Sequence, residues 1–179
     1  MLDLSISPMN FKNKKTPLMV VGVGASAGGL EALSKLLKSL PADTGMVFVF
    51  VQHLAPAHAS VLSELLSKKT KMRVHEAKND MRVMPNNIYV IPPNTCMTMR
   101  VGSLKLTPRD KTDINYHPID AFFSSLAVTY HSNAIGIVFS GTGTDGTLGL
   151  EHIKAEGGIT IAQDETAKYR GMPQSAIDA

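Results

Sequence analysis

The chain has 179 residues, with 18 Lys and Arg against 15 Asp and Glu, a formal net charge of +3 and a single cysteine. That length suits one domain able to bury roughly 70% of its unfolded surface, so no disulfide or metal staple is needed, and one cysteine excludes an internal disulfide. The charges are scattered, no basic stripe interleaves with aromatic residues, no apolar run reaches the length of a membrane span, and the N-terminus lacks a signal-like layout, which together argue against nucleic-acid binding and membrane insertion and lead us to expect a cytoplasmic protein.

Residues 1–17 are polar, contain Pro8 and Pro17 and the cluster Lys12–Lys15, and read as a tail or the end of a linker. From Leu18 onward, short apolar runs alternate with helical patterns. Leu18–Val23 reads as a strand and Leu30–Leu40 as a helix, its leucines at 30, 33, 36, 37 and 40 forming one stripe that Pro41 ends. The run from Met46 to Val51 has no polar alternation, as a central parallel strand covered on both faces requires. A helix over Ala59–Lys69 and strands at Arg73–Glu76 and Asn87–Ile91 follow. Two alternating strands about Gly102-Ser103 predict an antiparallel hairpin with glycine first in its turn. Next come a helix over Pro118–His131, a strand over Ala134–Ser140, a helix over Thr147–Glu156, a strand over Ile159–Ala162 and the first turn of another helix near Pro173. The order predicts an α/β fold: a doubly wound, mostly parallel sheet with helices on both faces and an inserted antiparallel hairpin.

The segment Gly22-Val23-Gly24-Ala25-Ser26-Ala27-Gly28-Gly29 joins the first strand to the first helix. Two chemistries use such a turn. Read as Gly24-Ala25-Ser26-Ala27-Gly28, it is a nucleophile elbow that exposes Ser26. Read as Gly22, Gly24 and Ala27, it is a dinucleotide fingerprint, but that expects an acidic residue at the end of the second strand, where the chain reads Val51-Gln52-His53-Leu54. A serine nucleophile needs a base and an orienting acid. In an open α/β sheet, sites form beyond the carboxyl ends of strands, and His53 and Asp145 both lie one loop beyond a strand, like Ser26. The plainer readings are a helix cap for Ser26 and Asp145 and a surface group for His53. The other histidines, His117 among them, lack a comparable setting, and no two have helical metal-ligand spacing with an acidic partner, so no metal site is expected.

These motifs, together with Asn87-Ile88-Tyr89-Val90-Ile91-Pro92-Pro93, Pro118-Ile119-Asp120, Ser140-Gly141-Thr142-Gly143-Thr144-Asp145-Gly146, Ile161-Ala162-Gln163 and Gly171-Met172-Pro173, resemble the catalytic domain of CheB, the chemotaxis protein-glutamate methylesterase family. The resemblance covers about residues 17–179. It implies a catalytic triad at Ser26, His53 and Asp145, oxyanion donors near Ala27 and Thr142, and hydrolysis of glutamate methyl esters on chemoreceptor-type proteins with release of methanol and no cofactor, some members also deamidating glutamine. Ala27 and Thr142 stand where family members often have Thr and Met. With these substitutions and Pro118–Phe123, the chain is similar to the esterase domain of fused CheB–CheR proteins, in which a methyltransferase domain follows. On that reading no receiver domain precedes Leu18, residues 18–179 are the catalytic domain, and that domain continues past Ala179. A regulatory binding domain that holds a partner, without catalysis, is the alternative.

Overall fold

The computed structural model describes residues 17–52, 59–110, 112 and 116–179. Its elements, in chain order, are β1 (Val20–Ala25), α1 (Gly29–Ser39), β2 (Val47–Gln52), α2 (Ala59–Ser67), β3 (Arg73–Glu76), β4 (Met81–Arg82), β5 (Asn87–Val90), β6 (Thr95–Arg100), β7 (Ser103–Pro108), α3 (Pro118–Tyr130), β8 (Ala134–Val138), α4 (Thr147–Ala155), β9 (Ile159–Ala162) and α5 (Gly171–Asp178). The expected tail lies outside the described residues except for Pro17.

Six strands form a parallel sheet in the order β3-β5-β2-β1-β8-β9. From β1 the chain moves one way to β2 and later returns on the other side with β8 and β9, so the direction of winding reverses beside β1. The predicted doubly wound fold is therefore correct. Leu33 and Leu37 of α1 and Leu62 and Leu66 of α2 pack with Val21 and Val23 on one face; α3 and α4 cover the other with Phe122, Phe123, Leu150 and Ile153. The leucine stripe of α1 thus reaches the core as its period predicts. Its last residue before Pro41, Leu40, is extended (φ −80°, ψ 134°), as a residue preceding proline prefers. In β2, Val47 to Val51 are all buried between β1 and β5.

The first strand runs two residues further than its apolar pattern suggests, and the reason is α3. Alternation along β1 points Gly22 and Gly24 at this helix, whose Ile119, Phe122, Phe123 and Leu126 are fully buried, each contributing about 1.5–3 kcal/mol. A Cβ at Gly22 would lie 2.8 Å from Phe123 Cε1, and one at Gly24 would run into Ile119 Cγ2. These two glycines therefore serve the approach of helix to sheet rather than the turn that follows.

The hairpin of β6 and β7 forms, but its turn is displaced by one residue. Arg100 pairs with Ser103, so the turn residues are Val101 and Gly102, with Gly102 second at φ +72°. That is where a type II turn needs a positive φ. A short strand absent from the sequence reading, β4, pairs with β7 through Met81 and Arg82 and completes a three-stranded antiparallel sheet. Two residues are too few to leave a period. Helix α5 begins two residues ahead of Pro173, which stands in its first turn, where a missing N–H costs nothing.

Candidate active site

The connections leaving β1 and β8 depart to opposite faces, one into α1 and the other into α4, and open a crevice at the carboxyl edge of the sheet. Ser26, half-buried, leaves β1 on one side of it; the loop 140–146 leaves β8 on the other. They are tied together. The Ser26 amide donates to the Ser140 carbonyl (3.0 Å), and the Ser140 hydroxyl donates to the Ala27 carbonyl (2.8 Å). Gly28, between Ala27 and α1, has φ +77°, a left-handed conformation that disfavours any residue with a Cβ.

The amides around this turn have fixed directions. In a trans peptide the N–H points opposite to the carbonyl of the preceding residue. The Ser26 carbonyl accepts from Gly29 N (3.1 Å), which turns the Ala27 N–H away from the first turn of α1. The Gly141 carbonyl accepts from Met172 N (3.0 Å), which turns the Thr142 N–H away from α5. Ala27 and Thr142 are both exposed. The N-cap residue of α1 is Gly28, which has no side chain with which to cap the helix. Gly141 is held at both ends, its own amide donating to the Tyr169 carbonyl (3.0 Å). A Cβ there would lie 2.9 Å from Ser26 Cβ and collide with Met172 Sδ.

Asp145 is buried at the start of α3. One carboxylate oxygen, Oδ2, accepts from Ile119 N (3.1 Å) and the other, Oδ1, from Asp120 N (2.9 Å). Asp120 returns the arrangement to α4: its Oδ1 accepts from both Gly146 N (2.9 Å) and Gly149 N (2.8 Å). Two adjacent helices thus exchange N-terminal acceptors, each carboxylate sitting at the positive end of the other element. Burial holds the Asp120 carboxyl above its ordinary value, and the charge of Asp145 adds to this; the amides of Gly149 and Gly146 and the nearby His117 act against it.

His117 Nδ1 lies 3.7 Å from Asp145 Oδ1 and 3.9 Å from Asp120 Oδ2, at ion-pair range from both. The sequence reading set His117 aside as having no comparable setting, and that is corrected here. Its neighbours come from the fold of loop 140–146 onto α3, 26 residues away in sequence for Ile119 and Asp145. His117, Asp120 and Asp145 bring their ligand atoms within 4.8 Å of one another. Backbone amides already occupy both oxygens of Asp145 and one of Asp120, so the cluster is built for holding helices rather than for a cation.

The CheB methylesterase family model matches residues 21–179 of this chain. The chain belongs to the CheB methylesterase family. It is 35% identical, over 97% of its length, to the protein-glutamate methylesterase/protein-glutamine glutaminase of Photorhabdus laumondii, and covers 51% of that protein. Against protein-glutamate methylesterase/protein-glutamine glutaminase 3 of Pseudomonas aeruginosa it is 36% identical over 89% of its length, covering 49% of that relative. It therefore spans about half the length of these curated relatives. A 104.1 kDa protein of Rhodobacter capsulatus is 43% identical over 65% of this chain, a stretch that makes up 12% of that protein. Among solved structures, the CheB methylesterase catalytic domain of Thermotoga maritima matches with a TM-score of 0.81 and 30% identity, over 89% of this chain and 87% of that one.

Membership of the CheB family sets aside the dinucleotide reading of the glycine segment, whose Gly22 and Gly24 face α3. Of the residues singled out from the sequence, Ser26, Ala27, Thr142 and Asp145 all stand on the crevice edge, on the β1 and β8 connections. His53 lies outside the described residues. Ser140, His117 and the acceptor role of Asp120 were not anticipated. A buried serine at the end of an apolar strand was the available signal for the first, and a polar residue just ahead of Pro118 for the second.

Proposed function

We propose that this CheB-family chain is a serine esterase that removes methyl groups from glutamate methyl esters on chemoreceptor-type signalling proteins. The observation carrying the proposal is the tie between the Ser26 turn and the Ser140–Gly146 loop at the point where the winding of the sheet reverses. Ser26 Oγ attacks the ester carbonyl while His53 takes its proton. The tetrahedral oxyanion is met by the amides of Ala27 and Thr142, and one such donor is typically worth about 3 kcal/mol. Collapse expels methoxide, which leaves as methanol with the proton from His53. Water, deprotonated by His53, then attacks the acyl-enzyme; Ser26 Oγ leaves with the proton returned from His53, and the released glutamate carboxyl ionises. Asp145 orients the imidazole and balances its charge. The net change is ester plus water to carboxylate, methanol and a proton.

The relatives named protein-glutamate methylesterase/protein-glutamine glutaminase support both the ester reaction and a parallel one on glutamine, in which ammonia leaves in place of methanol. The choice of His53 over His117 as base is supported by strand register: Gln52, which precedes His53 in sequence, pairs with Ala25, which precedes Ser26. We further propose that the domain works in the cytoplasm as part of a longer protein, a fused methyltransferase being one such arrangement; none of the described helices is long and apolar enough to cross a membrane. Methanol release from methyl-labelled receptor tests the mechanism. Wild-type protein should release it, Ser26→Ala and His53→Ala should not, and His117→Ala should stay within a few-fold of wild type. Equal release from wild type and Ser26→Ala would overturn the serine mechanism. Full activity in His53→Ala with loss in His117→Ala would reassign the base.

A further inference from the structure

Ser140 is almost fully buried, at 1% exposure, and every polar group it has within reach of the turn is engaged. Its carbonyl accepts from Ser26 N (3.0 Å) and its amide donates to Gln163 Oε1 (2.9 Å). Its hydroxyl donates to the Ala27 carbonyl (2.8 Å) and accepts from Tyr169 N (2.9 Å). Ser26 and Ala27 are therefore gripped from one residue, at the amide of the first and the carbonyl of the second. The peptide between them, which carries the Ala27 N–H, is suspended between those two points. A hydroxyl is the smallest group that can give one hydrogen bond and take another at the same atom, and alanine can do neither.

We propose that the Ser140 hydroxyl is a positioning residue for the reaction: it holds the Ser26–Ala27 peptide in the direction needed to present the nucleophile and the Ala27 amide together. This rests on Ser26 being the nucleophile. Without the hydroxyl, the Ala27 carbonyl and the Tyr169 amide both lose a partner, and the turn relaxes toward other partners for the Ala27 carbonyl. The substrate meets its binding surface as before but finds the reacting groups displaced, and such displacement acts on the chemical step rather than on binding.

Ser140→Ala and Ser140→Thr are compared with wild type and Ser26→Ala for methanol release, and for the rate at which a small alkyl fluorophosphonate labels the protein by intact mass. In the labelling step Ser26 Oγ forms the P–O bond, fluoride leaves and the serine proton passes to the base, so the phosphoryl oxygen probes the amides directly. Ser140→Ala is expected to lower kcat and the labelling rate by about 10- to 100-fold with KM within twofold, below the full loss of an oxyanion donor. Ser140→Thr, which keeps the hydroxyl, should recover most of both. Assays run at a temperature where circular dichroism shows each variant folded; should Ser140→Ala not fold, Ser140→Cys carries the decision. An active wild type with kcat unchanged in the alanine variant, a loss confined to KM, or equal losses in the alanine and threonine variants overturns the positioning role alone. A wild type that neither releases methanol nor takes the label overturns the nucleophile reading and the positioning role with it.

Discussion

The two acids that exchange helix ends respond differently to the same substitution. Asp145 uses separate oxygens, Oδ2 for Ile119 N and Oδ1 for Asp120 N. Asparagine offers one oxygen and one NH₂ group, so Asp145→Asn sets a donor against one of these amides. Leaving a buried N–H unsatisfied costs about 1–3 kcal/mol, and losing the charge at the start of α3 adds about 0.3–2 kcal/mol. A total near ~3 kcal/mol, at about 2–4 °C per kcal/mol for a chain of this size, lowers the melting temperature by about 6–12 °C. Asp120 spends a single oxygen, Oδ1, on both Gly146 N and Gly149 N. The amide oxygen of asparagine accepts both, so Asp120→Asn keeps the bonds and removes a charge that burial opposes; it should fall within about 1 kcal/mol of wild type at neutral pH.

The pH dependence follows from the raised Asp120 carboxyl, with burial as its first cause. As pH rises from the ordinary carboxyl range, the unfolded chain ionises this group before the folded protein does. Its contribution therefore declines with pH until the raised folded value is passed. Asp120→Asn cannot ionise and loses that decline, so its stability relative to wild type should improve as pH rises from about 4, the ordinary carboxyl value. Urea unfolding across this range, with equal m-values, measures both effects. If Asp145→Asn lies within 1 kcal/mol of wild type, or Asp120→Asn costs as much as Asp145→Asn, the exchange of acceptors does not hold these helices.

Gly24→Ala drives a Cβ into Ile119 Cγ2 and pushes α3 off β1; overpacking of this kind should cost about 1–3 kcal/mol in urea unfolding, whereas Gly45→Ala, whose Cβ meets nothing within 4 Å, should show only the cost of its positive φ. Tyr89 is buried, its hydroxyl accepting from Met84 N (2.9 Å) and donating to the Arg82 carbonyl (3.3 Å). Tyr89→Phe should lose about 1–3 kcal/mol. Burial raises its phenol above the ordinary value. The unfolded chain therefore ionises first at alkaline pH, and wild type should lose stability above about pH 10 more steeply than the phenylalanine variant.

The division between what was legible and what was not follows the range of the interactions involved. Periodicity and apolar runs report which faces a segment must bury, a property of neighbours in sequence. The leucine stripe of α1, the uninterrupted apolar run of β2 and the alternation of strand with helix are local in that sense, and they led to the doubly wound sheet. Because such sheets gather their sites at one edge, the same pattern put Ser26 and Asp145 on the connections beyond β1 and β8. The displaced hairpin turn and the missed β4 belong to pairing rather than to pattern, since either turn register leaves the same alternation in each strand.

Three features belonged to the tertiary structure alone. Gly22 and Gly24 read as parts of a turn until α3, nearly a hundred positions later, was seen lying against them. His117 read as an unremarkable polar residue until loop 140–146 brought Asp145 beside it. Ser140 hydrogen-bonds Ala27 across 113 residues. By itself the sequence determined the fold class, the family and which strand ends carry the proposed site, because burial patterns and short motifs are written in consecutive residues. Which groups hold the Ser26 turn and the Asp145 carboxylate in place was decided only by folding, because hydrogen bonds join atoms that meet in space and leave no trace in local order.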